Sequence, residues 1–107
     1  MAKEFMKEGM DTKLRFSLIP CEAKEELAKV LTFGAKKYEA NNWKKCKDLS
    51  LYWDAMYRHL NKYESGELVD PETGISHLSH AFTNLMFLIY FERSKDEKSC
   101  DNCLNGK

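Results

Sequence analysis

Two carboxylates, two imidazoles and an amide lie close together in one stretch of the sequence. They are Glu67, Asp70, His77, His80 and Asn84. The carboxylates belong to an acidic, turn-rich loop, and the other three follow at i, i+3 and i+7, the spacing that places side chains on one face of a helix. Such a set predicts the polar wall of a pocket or a metal site. The alternative is a solvated helix start after an ordinary surface turn.

A second group of carboxylates opens the first predicted helix. It consists of Glu22, Glu25 and Glu26. Carboxylates about one turn apart point the same way, and hard divalent cations such as Mg²⁺ prefer these oxygen ligands while keeping some waters for a substrate phosphate. The alternative is that the three acids only interact favourably with the positive end of the helix dipole. An E-x-x-E pair alone does not decide between the two.

Basic and aromatic side chains that suit a nucleotide are spread over the rest of the chain. Lys13 and Arg15 alternate with apolar residues in an arm that ends at a proline. They hold phosphates, or the arm only tucks its apolar side chains against the core. Trp43 lies in a polar, lysine-rich loop, where its ring packs on the helices or stacks on a nucleobase. Arg58 and His59 lie beside the apolar stripe of the second helix, within reach of the pocket.

The hydrophobic pattern predicts a small all-α bundle of three main helices. Apolar residues recur at three- and four-residue spacing over residues 21–38, 49–64 and 76–93. Pro20 is expected in the first turn of the first helix, where its missing N–H costs nothing, and Gly66 at the end of the second. The predicted organisation is a flexible N-terminus over 1–12, one helical domain over 13–93 that begins with an extended arm, and a polar, disordered tail over 94–107.

The third helix changes character along its length. Its second half, residues 85–91, is apolar on every side, and such a helix must be covered all round. A chain with only two other helices cannot easily cover it. A helix–helix contact between copies supplies the cover, so we predict a homodimer or a higher homo-oligomer.

Composition excludes several classes of protein. The 107 residues form one domain with 17 basic and 17 acidic side chains and no net charge. This balance argues against a DNA or RNA polymer or an anionic membrane surface as partner, and no apolar run is long enough to cross a bilayer. Four cysteines without a secretory signal predict reduced thiols in the cytoplasm. Cys100 and Cys103 supply only two zinc ligands, so a disordered tail is preferred to a zinc or redox centre.

Several short phrases, taken together, carry a family resemblance. They are Arg15-Phe-Ser-Leu-Ile-Pro20, Leu31-Thr-Phe-Gly-Ala-Lys-Lys-Tyr38, Asn42-Trp43, Arg58-His59-Leu60, Gly66-Glu67-x-x-Asp70 and Gly74-x-x-His77-Leu-x-His80. Over about residues 13–92 the chain resembles the phage-associated family of dATP/dGTP diphosphohydrolase N-terminal domains. These are relatives of the MazG-like all-α nucleotide pyrophosphohydrolases.

The resemblance implies an oligomeric, Mg²⁺- or Mn²⁺-dependent enzyme that cleaves a (d)NTP, with a purine expected, into (d)NMP and pyrophosphate. The metal ligands of such enzymes would correspond to Glu22, Glu25, Glu26, Glu67 and Asp70. The generic scheme of these enzymes gives no role to the His77/His80 pair. From the residues themselves, we expect Glu25, Glu67 and His77 to be catalytic. We expect the nucleotide to be bound by Lys13, Arg15, Lys37, Tyr38, Asn42, Trp43, Arg58, His59, His80 and Asn84.

Two other functions remain open on the sequence. The first is a non-catalytic phage protein that sequesters a host nucleotide defence signal, an anti-defence sponge. Its pocket would need aromatic, amide and cationic groups but no paired carboxylates. The second is a structural helical oligomer that binds no nucleotide.

Overall fold

The computed structural model describes residues 13–95, which contain three α-helices. They are α1 over Cys21–Lys37, α2 over Ser50–Glu64 and α3 over His77–Lys95. Short 3₁₀ turns cover Phe16–Leu18 and Asn42–Lys45. These residues form no strand beyond one isolated antiparallel bridge. The prediction of an all-α bundle with three main helices is therefore confirmed.

Parts of the predicted organisation lie outside the described residues. They are the N-terminal segment over 1–12 and, within the predicted tail, residues 96–107 with Cys100 and Cys103. Helix α3 runs to residue 95, past its predicted end at residue 93. Within the described part of the chain, none of the helices combines the length and the hydropathy that a bilayer span requires.

Helix α3 is the centre of the bundle, because α1 and α2 both pack against it. Its inward positions include Ala81, Leu88 and Phe91, and Met56 of α2 is buried as well. Thr83 is fully buried among them and donates its hydroxyl to the carbonyl oxygen of Ser79, 2.8 Å away. A helix that is apolar through most of its length can accept neighbours on more than one side, which explains its position.

The helix boundaries follow local capping chemistry. Pro20 lies just before α1 rather than in its first turn, because its ψ of 137° is extended; its carbonyl accepts the N–H of Ala23 at 3.1 Å. Leu49 is the N-cap of α2 and has no side-chain cap, but the Asp48 carboxylate just before it accepts the N–H of Ser50 at 3.1 Å. Gly66 follows α2 with a φ of 108°, as predicted.

The loop between α2 and α3 folds back on itself. Asp70 N–H donates to the carbonyl oxygen of Ile75 at 3.0 Å, and His77 N–H donates to that of Leu68 at 2.9 Å. Gly74 closes the turn with a φ of 76°, a conformation that costs a residue with a Cβ energy. The loop therefore brings its acidic start beside the first turn of α3.

The loop between α1 and α2 is held by Trp43. Its ring stacks on Phe87 of α3, with centroids 4.4 Å apart, and meets the edge of Tyr90 at 5.0 Å. The Tyr52 hydroxyl donates to the backbone oxygen of Trp43 at 2.7 Å. Burial, followed by a hydrogen bond with Cys46, raises the pKa of Tyr52. Of the two alternatives for this tryptophan, packing on the helices is the one observed.

The N-terminal arm differs from the expectation that it tucks against the core. Leu14, Phe16 and Leu18 are 75%, 68% and 67% exposed. The arm is not fully extended either, because Leu18 N–H donates to the carbonyl oxygen of Arg15 at 3.0 Å and closes a 3₁₀ turn. This turn breaks the alternation that would have directed the three apolar side chains to one side.

Helix α3 also presents an apolar stripe that nothing in the described chain covers. The stripe consists of Leu78, Phe82, Leu85 and Ile89, each 41–48% exposed. These positions recur at four- and three-residue spacing, so they form one continuous line along the helix. Assembly through this face stays a prediction.

Replacing Gly74 and Gly34 with alanine should have opposite effects on the free energy of unfolding. Gly74→Ala forces a Cβ into a left-handed conformation and should lower it by about 1 kcal/mol. Gly34 lies inside α1 with no atom within 4 Å of an added Cβ, so Gly34→Ala should raise it by about 0.5–1 kcal/mol. Urea unfolding followed by circular dichroism measures both, and equal effects of the two changes would contradict the assigned turn.

Charges placed on the apolar stripe should dissociate the predicted assembly. Because both side chains are exposed in the single chain, the double variant Phe82→Glu/Ile89→Glu should become monomeric while its helical circular dichroism is unchanged. Leu68→Glu is the matched control, since Leu68 is similarly exposed but lies in a loop. Light scattering after size exclusion gives the mass of each. A wild-type chain that elutes as a monomer would refute the prediction.

Candidate nucleotide pocket and histidine cluster

A cavity of about 860 Å³ lies between the second half of α1, the loop that follows it and one face of α3. Sites for small organic ligands usually measure about 300–1,000 Å³. One part of its wall is apolar, where Trp43 stacks on Phe87, and another part is polar, where the Thr73 hydroxyl contacts the His80 ring. A guest with one flat apolar part and one charged part fits this division.

The cavity brings together most of the residues predicted to bind a nucleotide. Those that line it are Lys37, Tyr38, Asn42, Trp43, His59, His80 and Asn84, together with the predicted metal ligand Asp70. The predicted residues outside this lining are Lys13, Arg15, Arg58, Glu22, Glu25, Glu26, Glu67 and His77. The roles assigned to all of them stay predictions.

Lys44 is a lining residue that the sequence analysis did not select. Its ammonium lies 5.6 Å from the centroid of the Trp43 ring and 5.3 Å from that of Tyr90. These cation–π contacts hold a positive charge at the rim. The signal in the sequence was its position directly after the tryptophan, but several lysines in the same loop hid it.

Asn84 occupies the middle of the cavity wall. It lies one turn after His80 and three residues before Phe87, so this face of α3 passes from the polar end to the apolar end. Its amide nitrogen donates to the backbone oxygen of His80 at 2.9 Å. The amide oxygen has no hydrogen bond among the described residues. Because every fully buried polar side-chain atom of those residues has a partner, this oxygen is not fully buried, and a guest can reach it.

A histidine cluster forms the polar end of the cavity. His59 Nδ1 and His77 Nδ1 are 2.8 Å apart, and the rings of His59 and His80 stack with centroids 4.5 Å apart and planes 11° from parallel. Beyond them, His77 Nε2 is 2.8 Å from the Glu67 carboxylate, and His80 Nε2 is 2.7 Å from the Thr73 hydroxyl. Each ring is therefore fixed by partners on more than one side.

The protonation states follow from burial and from these contacts. Burial, followed by the neighbouring His80 and His77, lowers the pKa of His59 to about 4. Burial is also the main cause that lowers the pKa of His80. Both imidazoles are therefore neutral near pH 7. When His77 is neutral too, its Nε2–H donates to Glu67, so its Nδ1 carries a lone pair and accepts the Nδ1–H of His59.

The two loop carboxylates have different neighbours. Glu67 binds the ring of His77, whereas Asp70 Oδ1 accepts the N–H of Glu72 at 2.9 Å and stabilises the turn. The other oxygen, Asp70 Oδ2, lies 3.6 Å from His80 Nε2. Each carboxylate is thus committed to a different neighbour.

The carboxylates of α1 have other partners. Glu26 bridges α1 and α3, because its two oxygens lie 2.6 Å from the Ser79 hydroxyl and 2.8 Å from the Lys29 ammonium. The hydrogen bonds with Lys29 and Ser79 lower the pKa of Glu26. Glu25 borders a separate groove of about 500 Å³, and Glu22 is exposed in the first turn.

The ligand atoms that do converge belong to a different set. Within residues 13–95, the group of metal-ligating side chains whose atoms all lie within 4.8 Å of one another consists of His59, Asp70 and His77. Two imidazoles and one carboxylate do not fit the all-oxygen set expected for Mg²⁺.

Comparison with known proteins gives one family and one relative. The family described as "dATP/dGTP diphosphohydrolase, N-terminal" matches residues 4–101. A protein of Salmonella phage PMBT28 named dATP/dGTP diphosphohydrolase is 38% identical over 78 residues, which are 73% of this chain. The chain spans only 27% of the length of that relative. No solved structure matches this chain significantly.

The family match covers nearly the whole sequence and includes every residue of the cavity and the histidine cluster. The resemblance inferred from the short phrases is thereby confirmed. This chain belongs to the family of dATP/dGTP diphosphohydrolase N-terminal domains.

Proposed function

We propose that the cavity binds a purine (deoxy)nucleoside triphosphate and that the chain cleaves it into the monophosphate and pyrophosphate. The observation that carries the proposal is that a single cavity gathers aromatic, amide and lysine side chains around an apolar and a polar end. The name of the phage relative, which refers to dATP and dGTP, supports the same class of guest.

The base occupies the apolar end in this proposal. Trp43 and Phe87 offer an apolar wall for the base. Tyr38 is 64% exposed and lies beside Lys37, whose ammonium is 5.4 Å from the centroid of its ring. The amide oxygen of Asn84 can accept a hydrogen bond, and both adenine and guanine carry N–H groups that can donate one. Asn84 therefore reads the base or the sugar from the middle of the cavity.

The phosphates occupy the polar end. The Lys37 ammonium lies 3.8 Å from the exposed carboxylate of Glu72. An exposed ion pair at this distance contributes little stability. A phosphate that displaces Glu72 gains the lysine without breaking a strong contact. Lys44 also lines the cavity, but its ammonium lies over the Trp43 and Tyr90 rings, in the apolar part. The Lys37 charge stabilises the negative charge that develops on the leaving pyrophosphate.

The cleaved bond is the one between the α-phosphorus and the oxygen that bridges it to the β-phosphate. A water oxygen attacks the α-phosphorus, pyrophosphate leaves with the bridging oxygen, and the water proton passes to solvent or to a basic group. Neutral imidazoles at the polar end, among them His80, orient that water through hydrogen bonds. Product analysis tests this: dATP or dGTP incubated with the chain should yield monophosphate and pyrophosphate in equal amounts.

An intact triphosphate recovered from a saturated complex would overturn the catalytic part of the proposal. That result would favour sequestration of the nucleotide, for which the same aromatic and cationic groups suffice. The absence of any nucleotide-induced thermal shift would overturn the binding part as well. A panel of divalent cations in the assay keeps a missing ion from being mistaken for a missing activity.

Lys37→Ala should weaken nucleotide binding, because a charge-assisted hydrogen bond to phosphate contributes about 1.5–3 kcal/mol, or at least about tenfold in Kd. Lys36→Ala removes the same charge from the neighbouring position, which borders the separate groove instead of the cavity. It should leave the Kd almost unchanged. Isothermal titration with dGTP measures both variants, and equal losses would show a nonspecific charge effect in place of a site.

A further inference from the structure

The geometry points to a metal site in which two histidines, one of them from α2, join a single loop carboxylate. We propose that His59, Asp70 and His77 bind a divalent transition-metal ion, such as Zn²⁺ or Co²⁺, in preference to Mg²⁺. Their ligand atoms lie within 4.8 Å of one another. The side chains of His77 and Asp70 are only 4% and 14% exposed, so this is a partly enclosed site and not a solvated cluster of acids.

The donor set determines the class of ion. Imidazole nitrogen suits Zn²⁺, Co²⁺ and related ions, whereas Mg²⁺ prefers oxygen ligands and dehydrates reluctantly. The two Nδ1 atoms are 2.8 Å apart. One tetrahedral ion contacts both after the rings turn slightly apart, since metal–imidazole bonds of about 2.0–2.1 Å hold two nitrogens about 3.4 Å from each other. A carboxylate as the third ligand is common to many such sites.

Glu67 has the position of an outer-shell partner. Its carboxylate accepts the Nε2–H of His77 at 2.8 Å, which leaves the Nδ1 lone pair directed at the proposed site. A carboxylate behind a ligating histidine fixes the tautomer and the orientation of the ring in this way. The backbone bond from His77 N–H to the carbonyl oxygen of Leu68 anchors the same residue from a second direction.

His59 and Asp70 have the required atoms available. In the metal-free chain, His59 Nδ1–H donates to His77; on binding, that proton is exchanged through water to His59 Nε2, so the ring stays neutral and no net proton is released. Asp70 uses Oδ1 for its turn, and Oδ2 has only the 3.6 Å contact with His80. The ion therefore replaces one N–H···N bond and leaves the turn intact.

The site borders the nucleotide cavity, because His59 and Asp70 belong to the cavity wall. Three protein ligands leave positions for water or for a further ligand, the arrangement typical of catalytic and not of structural metal sites. Metal binding is a property of the chain alone, so it is independent of the proposed function and can be tested without a nucleotide.

The experiment uses the full chain with Cys100 and Cys103 changed to serine, so that this thiol pair cannot bind the ion. After chelator treatment, Co²⁺ is titrated and its visible absorption recorded, and equilibrium dialysis with elemental analysis gives the stoichiometry for Zn²⁺, Mn²⁺ and Mg²⁺. We expect one Co²⁺ or Zn²⁺ per chain and at least about a hundredfold weaker binding of Mg²⁺.

Variants separate this site from the carboxylates of α1. Asp70→Asn, which keeps the oxygen that the turn needs, and His77→Gln should each abolish stoichiometric binding. Glu67→Gln should weaken it by about 10–100-fold, as changes of outer-shell partners do. Glu25→Gln removes a carboxylate charge from α1 and should have no effect. Circular dichroism verifies that each variant is folded.

A second measurement, by nuclear magnetic resonance, keeps His59, Asp70 and His77 unchanged, so it tests the site even if the variants fail to fold. Substoichiometric Co²⁺ should broaden the ring proton resonances of His59 and His77 far more than the side-chain proton resonances of exposed residues on α1 such as Glu22. The proposal is overturned if no ion binds stoichiometrically, if binding survives His77→Gln, or if Glu25→Gln abolishes it.

Discussion

The packing of α1 and α2 against a single helix, α3, is the constraint on which the rest of the structure depends. Each face of α3 then has a separate task. Ala81, Leu88 and Phe91 fill the interior, while His80 and Asn84 face the cavity. Because both outer helices use α3 as their partner, the space between them remains open and forms the pocket.

The same constraint explains the uncovered apolar surface. A small domain buries a smaller fraction of its apolar surface than a large one, and here the apolar stripe of α3 (Leu78, Phe82, Leu85 and Ile89) remains 41–48% exposed. Burial stabilises by roughly 25 cal/mol per Å² of apolar surface. A partner surface against this stripe would therefore add considerably to a core that contains few large buried side chains.

Local patterns in the sequence were sufficient to predict the helices. Apolar spacing located all three, and Gly66 marked the end of α2 correctly, because these signals arise within a few residues of one another. Pro20 was displaced by one position, since an extended ψ is equally compatible with its ring. The packing of Trp43 on Phe87 followed from the general need of a large ring for cover.

The site was only partly predictable for a physical reason. Shared helix faces identified His80 and Asn84, but the contact between His59 and His77 joins positions 18 residues apart in two helices. No periodicity encodes such a contact. Residue spacing and the family pattern pointed to Glu22, Glu25 and Glu26 as metal ligands. The loop folds so that Glu67 contacts His77, a partner that spacing alone could not reveal.

The histidine cluster is closed by its own hydrogen bonds, and this determines how any ion must compete. Within the described residues, no fully buried side-chain polar atom lacks a partner, so an ion must exchange for the His59–His77 contact. Isolated buried polar groups are costly, which keeps the two rings together when no ion is bound. The metal–nitrogen bonds of an ion that binds imidazole strongly offset the free energy of the lost hydrogen bond. Mg²⁺ binds imidazole weakly and would in addition lose firmly held water. The selectivity of the site therefore arises from what its metal-free state already satisfies.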